Sequence, residues 1–154
     1  MRLTIDKTAS LAVGADAAWE FLRDPVRVAA CLPNVRSFSA VPDADNRYAT
    51  TLVERIGPFS VSVGLRIDVT EDADAREMRA DVSGEDRGGQ ARVRGTVRAA
   101  VVPEGDRSRL DVDSDVEVLG RLASLGAVPI RRRGDQVFDE FVRTLAAKLE
   151  EEHA

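Results

Sequence analysis

The clearest signal in the chain is a strict alternation after Gly57 and Pro58. Phe59, Val61, Val63, Leu65, Ile67 and Val69 are apolar, while Ser60, Ser62, Arg66, Asp68 and Thr70 occupy the other parity. Successive side chains of a strand point to opposite faces, so this segment predicts a strand with one buried and one wet face. The same grammar recurs in Met78, Ala80 and Val82, then in Ala91, Val93, Gly95, Val97, Ala99 and Val101, and again in Leu110, Val112, Ser114, Val116 and Val118. Turn-rich segments at 71–76, 84–90 and 103–108 separate these runs, which predicts an antiparallel meander. Upstream, residues 3–13 alternate loosely through Leu3, Ile5, Ala9, Leu11 and Val13. Lys7 falls on the apolar parity there, which implies a bulge or a strand end. Two short strands at 35–41 and 46–55 flank the polar turn Pro42–Asn46.

Helical signals bracket the strands. Asp16 is placed to cap a short helix through Phe21 and Leu22, and Asp24-Pro25 starts a second one that Leu32-Pro33 ends. After Gly120 the period becomes helical. Leu122, Leu125 and Val128 lead to Pro129, and Val137, Phe138, Phe141, Val142, Leu145 and Leu149 form one apolar stripe. A long helix of roughly 20 residues is expected after an interruption at Pro129–Gly134, its stripe covering the apolar sheet face. No linker or repeat divides the chain, so residues 1–154 read as one domain of the α+β class.

Composition narrows the chemistry. One cysteine, Cys31, and one histidine, His153, leave no Cys/His metal set, no imidazole-based triad and no intrachain disulfide. No cofactor is expected. The 27 acidic side chains exceed the 22 basic ones, so a duplex nucleic-acid surface is not expected either. No apolar run spans a bilayer and Met1–Asp6 has no signal character, which makes the cytoplasm the expected compartment. On the wet face Arg92, Arg94 and Arg98 share a parity and are expected to lie opposite Asp111, Asp113, Asp115 and Glu117, leaving Arg131, Arg132 and Arg133 as the unmatched positive run. That run is the candidate patch for an acidic partner or lipid phosphates, a solvated helix face being the alternative.

The inward parity carries small residues, among them Ala80, Ala91, Gly95, Ala99 and Ser114, and no charge on its three clearest strands. Either the sheet collapses onto the helix or an apolar cavity of roughly 300 to 1,000 Å³ remains. Such a cavity suits a lipophilic ligand. Its candidate lining is Trp19, Leu32, Tyr48, Phe59, Val61, Val63, Leu65, Met78, Ala80, Val93, Gly95, Ser114, Leu122, Leu125, Phe138 and Phe141, with Tyr48, Thr50 or Ser114 as the hydrogen-bonding residue. Leu122 and Leu125, between Gly120 and Gly126, read either as a lip at its mouth or as the first buried helical turn.

Several motifs add a resemblance. Trp19 with Asp24-Pro25, Cys31-Leu32-Pro33-Asn34, Ile56-Gly57-Pro58-Phe59, the run Gly84-Glu85-Asp86-Arg87-Gly88-Gly89 to Gly95, and Leu119-Gly120-Arg121-Leu122-Ala123-Ser124-Leu125-Gly126 occur in an order that resembles the carbon monoxide dehydrogenase CoxG family. That family is a branch of the START-like (SRPBCC, helix-grip) superfamily. The resemblance implies a curved antiparallel sheet of six or seven strands wrapped around a long C-terminal helix, with two short helices after the first strand. It also implies a non-catalytic accessory protein, a carrier of a quinone-like or lipid molecule for a molybdenum hydroxylase of the carbon monoxide dehydrogenase type, acting near the inner face of the cell membrane. Two departures stand out. The acidic end Glu150–Ala154 replaces the membrane-associating extension common in the family, and Pro129 with Arg131–Arg133 breaks the helix start. The alternatives within the superfamily are a polyketide cyclase or dehydratase, which wants an acid or base in the pocket, and a chaperone-activator-like interaction module.

Overall fold

In the computed structural model, which describes residues 1–153, the alternating runs form seven strands joined in one antiparallel sheet. These are β1 (Arg2–Leu11), β2 (Val35–Ala40), β3 (Arg47–Ile56), β4 (Phe59–Asp72), β5 (Glu77–Glu85), β6 (Arg92–Glu104) and β7 (Arg107–Leu119). The order across the sheet is β1-β7-β6-β5-β4-β3-β2, a meander whose first strand closes onto its last. Two short helices, α1 (Ala15–Leu22) and α2 (Pro25–Ala29), connect β1 to β2, and α3 (Ala127–Glu152) ends the chain after a 3-10 turn at Arg121–Leu125. The architecture is that of a sheet curved about one long helix.

The strand boundaries follow the sequence pattern closely, and the departures have local causes. Lys7 needs no bulge, because β1 pairs with β7 in unbroken register from Arg2↔Glu117 to Leu11↔Ser108. Its side chain turns inward and meets Asp135 of α3 at 2.8 Å. Asp16 is not the cap of α1. Gly14 holds that position without a side-chain bond, while Asp16 accepts from Arg76 at 2.7 Å. Asp24 does cap α2, accepting from the Val26 and Arg27 amides ahead of which Pro25 forgoes a hydrogen bond it would not make.

The expected break at Pro129–Gly134 is absent, and α3 runs on through both residues. Pro129 lies in the first turn, where backbone N–H groups have no intrahelical partner to lose. Gly134 marks the closest approach of α3 to β1: a Cβ there would stand 3.2 Å from Ile5 Cδ1.

Curvature makes its own demand on composition. A Cβ on Gly84 would overlap the Gly64 carbonyl, and one on Gly95 would overlap the Asp115 carbonyl and lie 2.8 Å from Val116 Cα. Both glycines therefore sit where neighbouring backbones press together in the bend.

Two separate cores hold the helix to the sheet. One joins Leu11, Val101 and Leu110 to Trp19, Phe21, Cys31, Phe141, Leu145 and Leu149. The other joins Leu3, Val61, Val63, Leu65, Ala91 and Val118 to Leu122. On the outer face Arg94 bonds Glu117 at 3.3 Å as expected. The remaining pairings differ. Arg92 lies opposite Leu119, Asp115 is taken by Arg2 from β1, and Arg98, although opposite Asp113, makes its ion contact at 4.0 Å with Glu77. Asp113 lies against Asp6 across the β1–β7 pair; desolvation, then that like charge, raise its carboxyl above the usual range despite Arg98.

Two outcomes follow. Gly95→Ala is expected to lower the melting temperature by several degrees, whereas Gly64→Ala, with no atom within 4 Å of its Cβ, leaves it unchanged or slightly raised; equal effects would remove the curvature argument. A raised carboxyl binds its proton more tightly in the folded state, so its stabilising contribution is present below the unfolded pKa and fades as pH rises through the folded one. Asp113→Asn is thus expected to raise the melting temperature at pH 7, with the gain shrinking toward pH 3; a gain independent of pH contradicts this reading.

A candidate ligand-binding interior

The pairing registers lay the inward side chains out in rows across the sheet. One row runs Ile5, Ser114, Val97, Ala80 and Val69, across β1, β7, β6, β5 and β4. All five are only half-buried, and neither core contains them. In the middle of a seven-stranded sheet covered by a helix, that exposure has one physical source. The cores fill the two ends of the interior, and side chains this small leave unfilled space between them.

Helix α3 spans that band because it is tied to both margins of the sheet. Arg131 donates to the Thr4 carbonyl at 2.6 Å and Asp135 meets Lys7 on the β1 side. On the other side Arg133 Nε donates to Glu54 Oε2 of β3 at 2.8 Å. Glu54 is an inward carboxylate that the sequence reading missed, although it shares the parity of Leu52 and Ile56. Its side chain is 7% exposed, and the ion pair raises the already high pKa of the Arg133 guanidinium further.

The sixteen candidate lining residues do not form one pocket. Trp19 and Phe141 belong to the first core, with Leu32 and Met78 packed against it. Val61, Val63, Leu65 and Leu122 belong to the second, with Phe59 and Leu125 packed against it. Ala80 and Ser114 lie in the open row; Tyr48, Val93, Gly95 and Phe138 are half-buried outside both cores. Tyr48 stacks on Phe38 with ring centroids 5.2 Å apart. Thr50 is committed, its hydroxyl donating to the Arg36 carbonyl at 2.7 Å. Leu122 and Leu125 form a buried 3-10 turn, the Leu122 amide bonded to the Gln90 carbonyl at 2.8 Å and Leu125 lying against Gly57.

The triple-arginine patch is also divided. Arg133 is spent on Glu54 and Arg131 on a β1 carbonyl, so Arg132 alone points outward without a partner among the described residues. Consecutive helical residues diverge by about 100°, which is why a run in sequence is not a patch in space. Burial raises the Cys31 thiol, whose Sγ donates weakly to the Arg27 carbonyl at 3.6 Å, consistent with an inert packing group. Two shallow depressions, of about 460 and 200 Å³, lie on the outer sheet face; Arg2, Arg94, Asp81, Asp115 and Glu117 line the larger. They are polar grooves among paired charges, not openings into the interior.

The family model for carbon monoxide dehydrogenase CoxG matches residues 9–150. No curated protein matches the chain. Among solved structures, a conserved protein from Geobacillus kaustophilus aligns with a TM-score of 0.85 at 18% identity, covering 97% of this chain and 96% of its own. A START superfamily protein from Mycobacterium smegmatis aligns with a TM-score of 0.70 at 18% identity, covering 96% and 97%. The Zhui aromatase/cyclase from Streptomyces sp. R1128 aligns with a TM-score of 0.62 at 14% identity, covering 100% and 97%. These likenesses establish the helix-grip fold.

If space remains along the central row, Val97→Leu and Ala80→Leu fill it and leave the melting temperature unchanged or higher. Val63→Phe, at a fully buried position, should cost about 1–3 kcal/mol by overpacking. A comparable loss in all three variants would mean a filled interior.

Proposed function

The chain belongs to the carbon monoxide dehydrogenase CoxG family, and from that premise we propose that it is a non-catalytic binding protein for a lipophilic small molecule, quinone-like or lipid. In this reading residues 1–154 act as one START-like unit, an accessory carrier for a carbon monoxide dehydrogenase-type molybdenum hydroxylase. The observation that carries it is the divided core: an apolar, half-open band of Ile5, Ser114, Val97, Ala80 and Val69 beneath α3, with Ser114 its one polar side chain. Such a band offers shape and apolar surface, the usual lining of a small-molecule site.

A charge asymmetry supports a peripheral position at the inner membrane face. The whole chain is acidic by five charges, yet Arg55, Arg87, Arg92, Arg121 and Arg132 are exposed and lack carboxylate partners among the described residues. All five lie toward the end where the β3–β4 hairpin, the β5–β6 loop and the start of α3 meet. Val128, 67% exposed, and Leu119, 38% exposed, project there as well. Glu104, Asp106, Asp72, Asp74 and Glu150–Glu152 gather at the opposite end. Arginines interleaved with exposed apolar side chains fit a transient contact with anionic lipid, which attracts each such cation by about 1 kcal/mol.

A second reading, a cyclase-like enzyme, draws on the aromatase/cyclase among the structural neighbours and on the inward Glu54 and Lys7. Each of those groups is held in an ion pair with α3, which suits positioning better than proton transfer.

The test is organic extraction of the purified protein followed by mass spectrometry, with sedimentation against vesicles of neutral or anionic lipid. A co-purifying lipophile and salt-sensitive binding to anionic vesicles are expected. Ligand-free protein that takes up no added quinone or lipid would sink the carrier reading, and indifference to vesicle charge would sink the membrane contact.

A further inference from the structure

Among the described residues one buried side-chain oxygen has no hydrogen-bond partner, Oε1 of Glu54. The residue stands on the inner face of β3 opposite Val61, between Leu52 and Ile56 on the same parity. Its other oxygen is held by Arg133, so the charge is compensated while half of the carboxylate's accepting capacity is unused. Buried polar atoms are nearly always satisfied, and an exception on the inner wall of a ligand-sized fold calls for a donor from outside the chain. No other inward side chain can supply one. The Thr50 hydroxyl is committed to the Arg36 carbonyl and the Lys7 ammonium to Asp135.

We propose that Glu54 is the polar recognition point of the interior, its Oε1 accepting a hydrogen bond from a hydroxyl or N–H group on an otherwise apolar, uncharged ligand. The proposal rests on the lipophile-binding reading above and specifies the head group. Arg133 already neutralises the carboxylate, so a neutral donor satisfies Oε1 without burying further charge. A carboxylate-headed lipid would place anion against anion. A head group with carbonyl acceptors only, such as an oxidised dione, would place acceptor against acceptor, and the reduced, hydroxyl-bearing form is the one that fits. Glu54 and the open row are separated by eight residues along β4, from Val61 to Val69, up to about 26 Å of extended strand. An occupant that touches both is therefore elongated.

The experiment is displacement of diphenylhexatriene, a wholly apolar fluorescent probe, by 1-dodecanol and by its methyl ether, which differ only in the hydroxyl donor. Wild-type protein is expected to favour the alcohol by about tenfold or more, the scale of a hydrogen bond to a charged acceptor. The double variant E54M/R133M removes both charges with side chains of similar bulk, a replacement that buried ion pairs commonly tolerate, and Glu54→Gln provides a second variant that keeps the shape. Loss of the alcohol preference in E54M/R133M, with ether affinity retained, is the supporting result. Equal affinities for the two ligands in the wild type, or a preference that survives in the double variant, overturn the assignment of Glu54 alone. If the wild type binds neither the probe nor either ligand, the lipophile-binding reading itself falls and this inference with it.

Discussion

The structure depends on one geometric demand, that a single helix must reach both margins of a seven-stranded sheet. Helix α3 is joined to β1 through Arg131, Gly134 and Asp135, and to β3 through Arg133, all within little more than one helical turn. The sheet has to curl for this to be possible. It curls where Gly84 and Gly95 allow adjacent backbones to approach, since any side chain at either position would collide with a neighbouring carbonyl. The buried Arg133–Glu54 pair contributes little net stability by itself, because desolvation offsets most of its attraction. Its effect is positional: breaking it would leave an uncompensated charge inside, so the helix is confined to the register in which both partners meet.

That register accounts for the form of the interior. With α3 pinned near its start and packed through Phe141, Leu145 and Leu149 toward its end, apolar side chains concentrate in two clusters. The row between them is built of Ile5, Ser114, Val97, Ala80 and Val69, too little volume to close the gap. Space for a ligand is thus a consequence of small residues placed where the helix cannot descend further. The same placement leaves the interior poor in reactive groups, since Lys7 and Glu54 are each bound to the helix that covers them.

Much of this was legible from spacing alone. The period-two runs located the strands of the meander to within a few residues, and the stripe from Val137 to Leu149 located the helix. The failures were of one kind. Pro129 and Gly134 suggested a break because helix propensity disfavours both, yet position within the first turn and contact with Ile5 make each compatible with a continuous α3. Asp16 satisfied the local rule for a cap and was drawn instead to Arg76, far away in sequence. The arginine run 131–133 suggested one patch, whereas helical geometry sends its members to different partners.

The candidate site divides along the same line. Alternation determined which faces are apolar and which residues share them, because side-chain parity in a strand is a local property. It even carried Glu54, whose place beside Leu52 and Ile56 was readable before any fold was known. What alternation could not carry was distance across the interior: that Trp19 and Phe59 fall in different cores, that Ala80 and Ser114 stay half-open between them, and that one oxygen of Glu54 meets Arg133 while the other meets nothing. Those facts depend on how far a curved sheet bends before its backbones touch and on where a helix fastened to both margins comes to rest. They are set jointly by residues remote in sequence, and packing of the whole chain is what decides them.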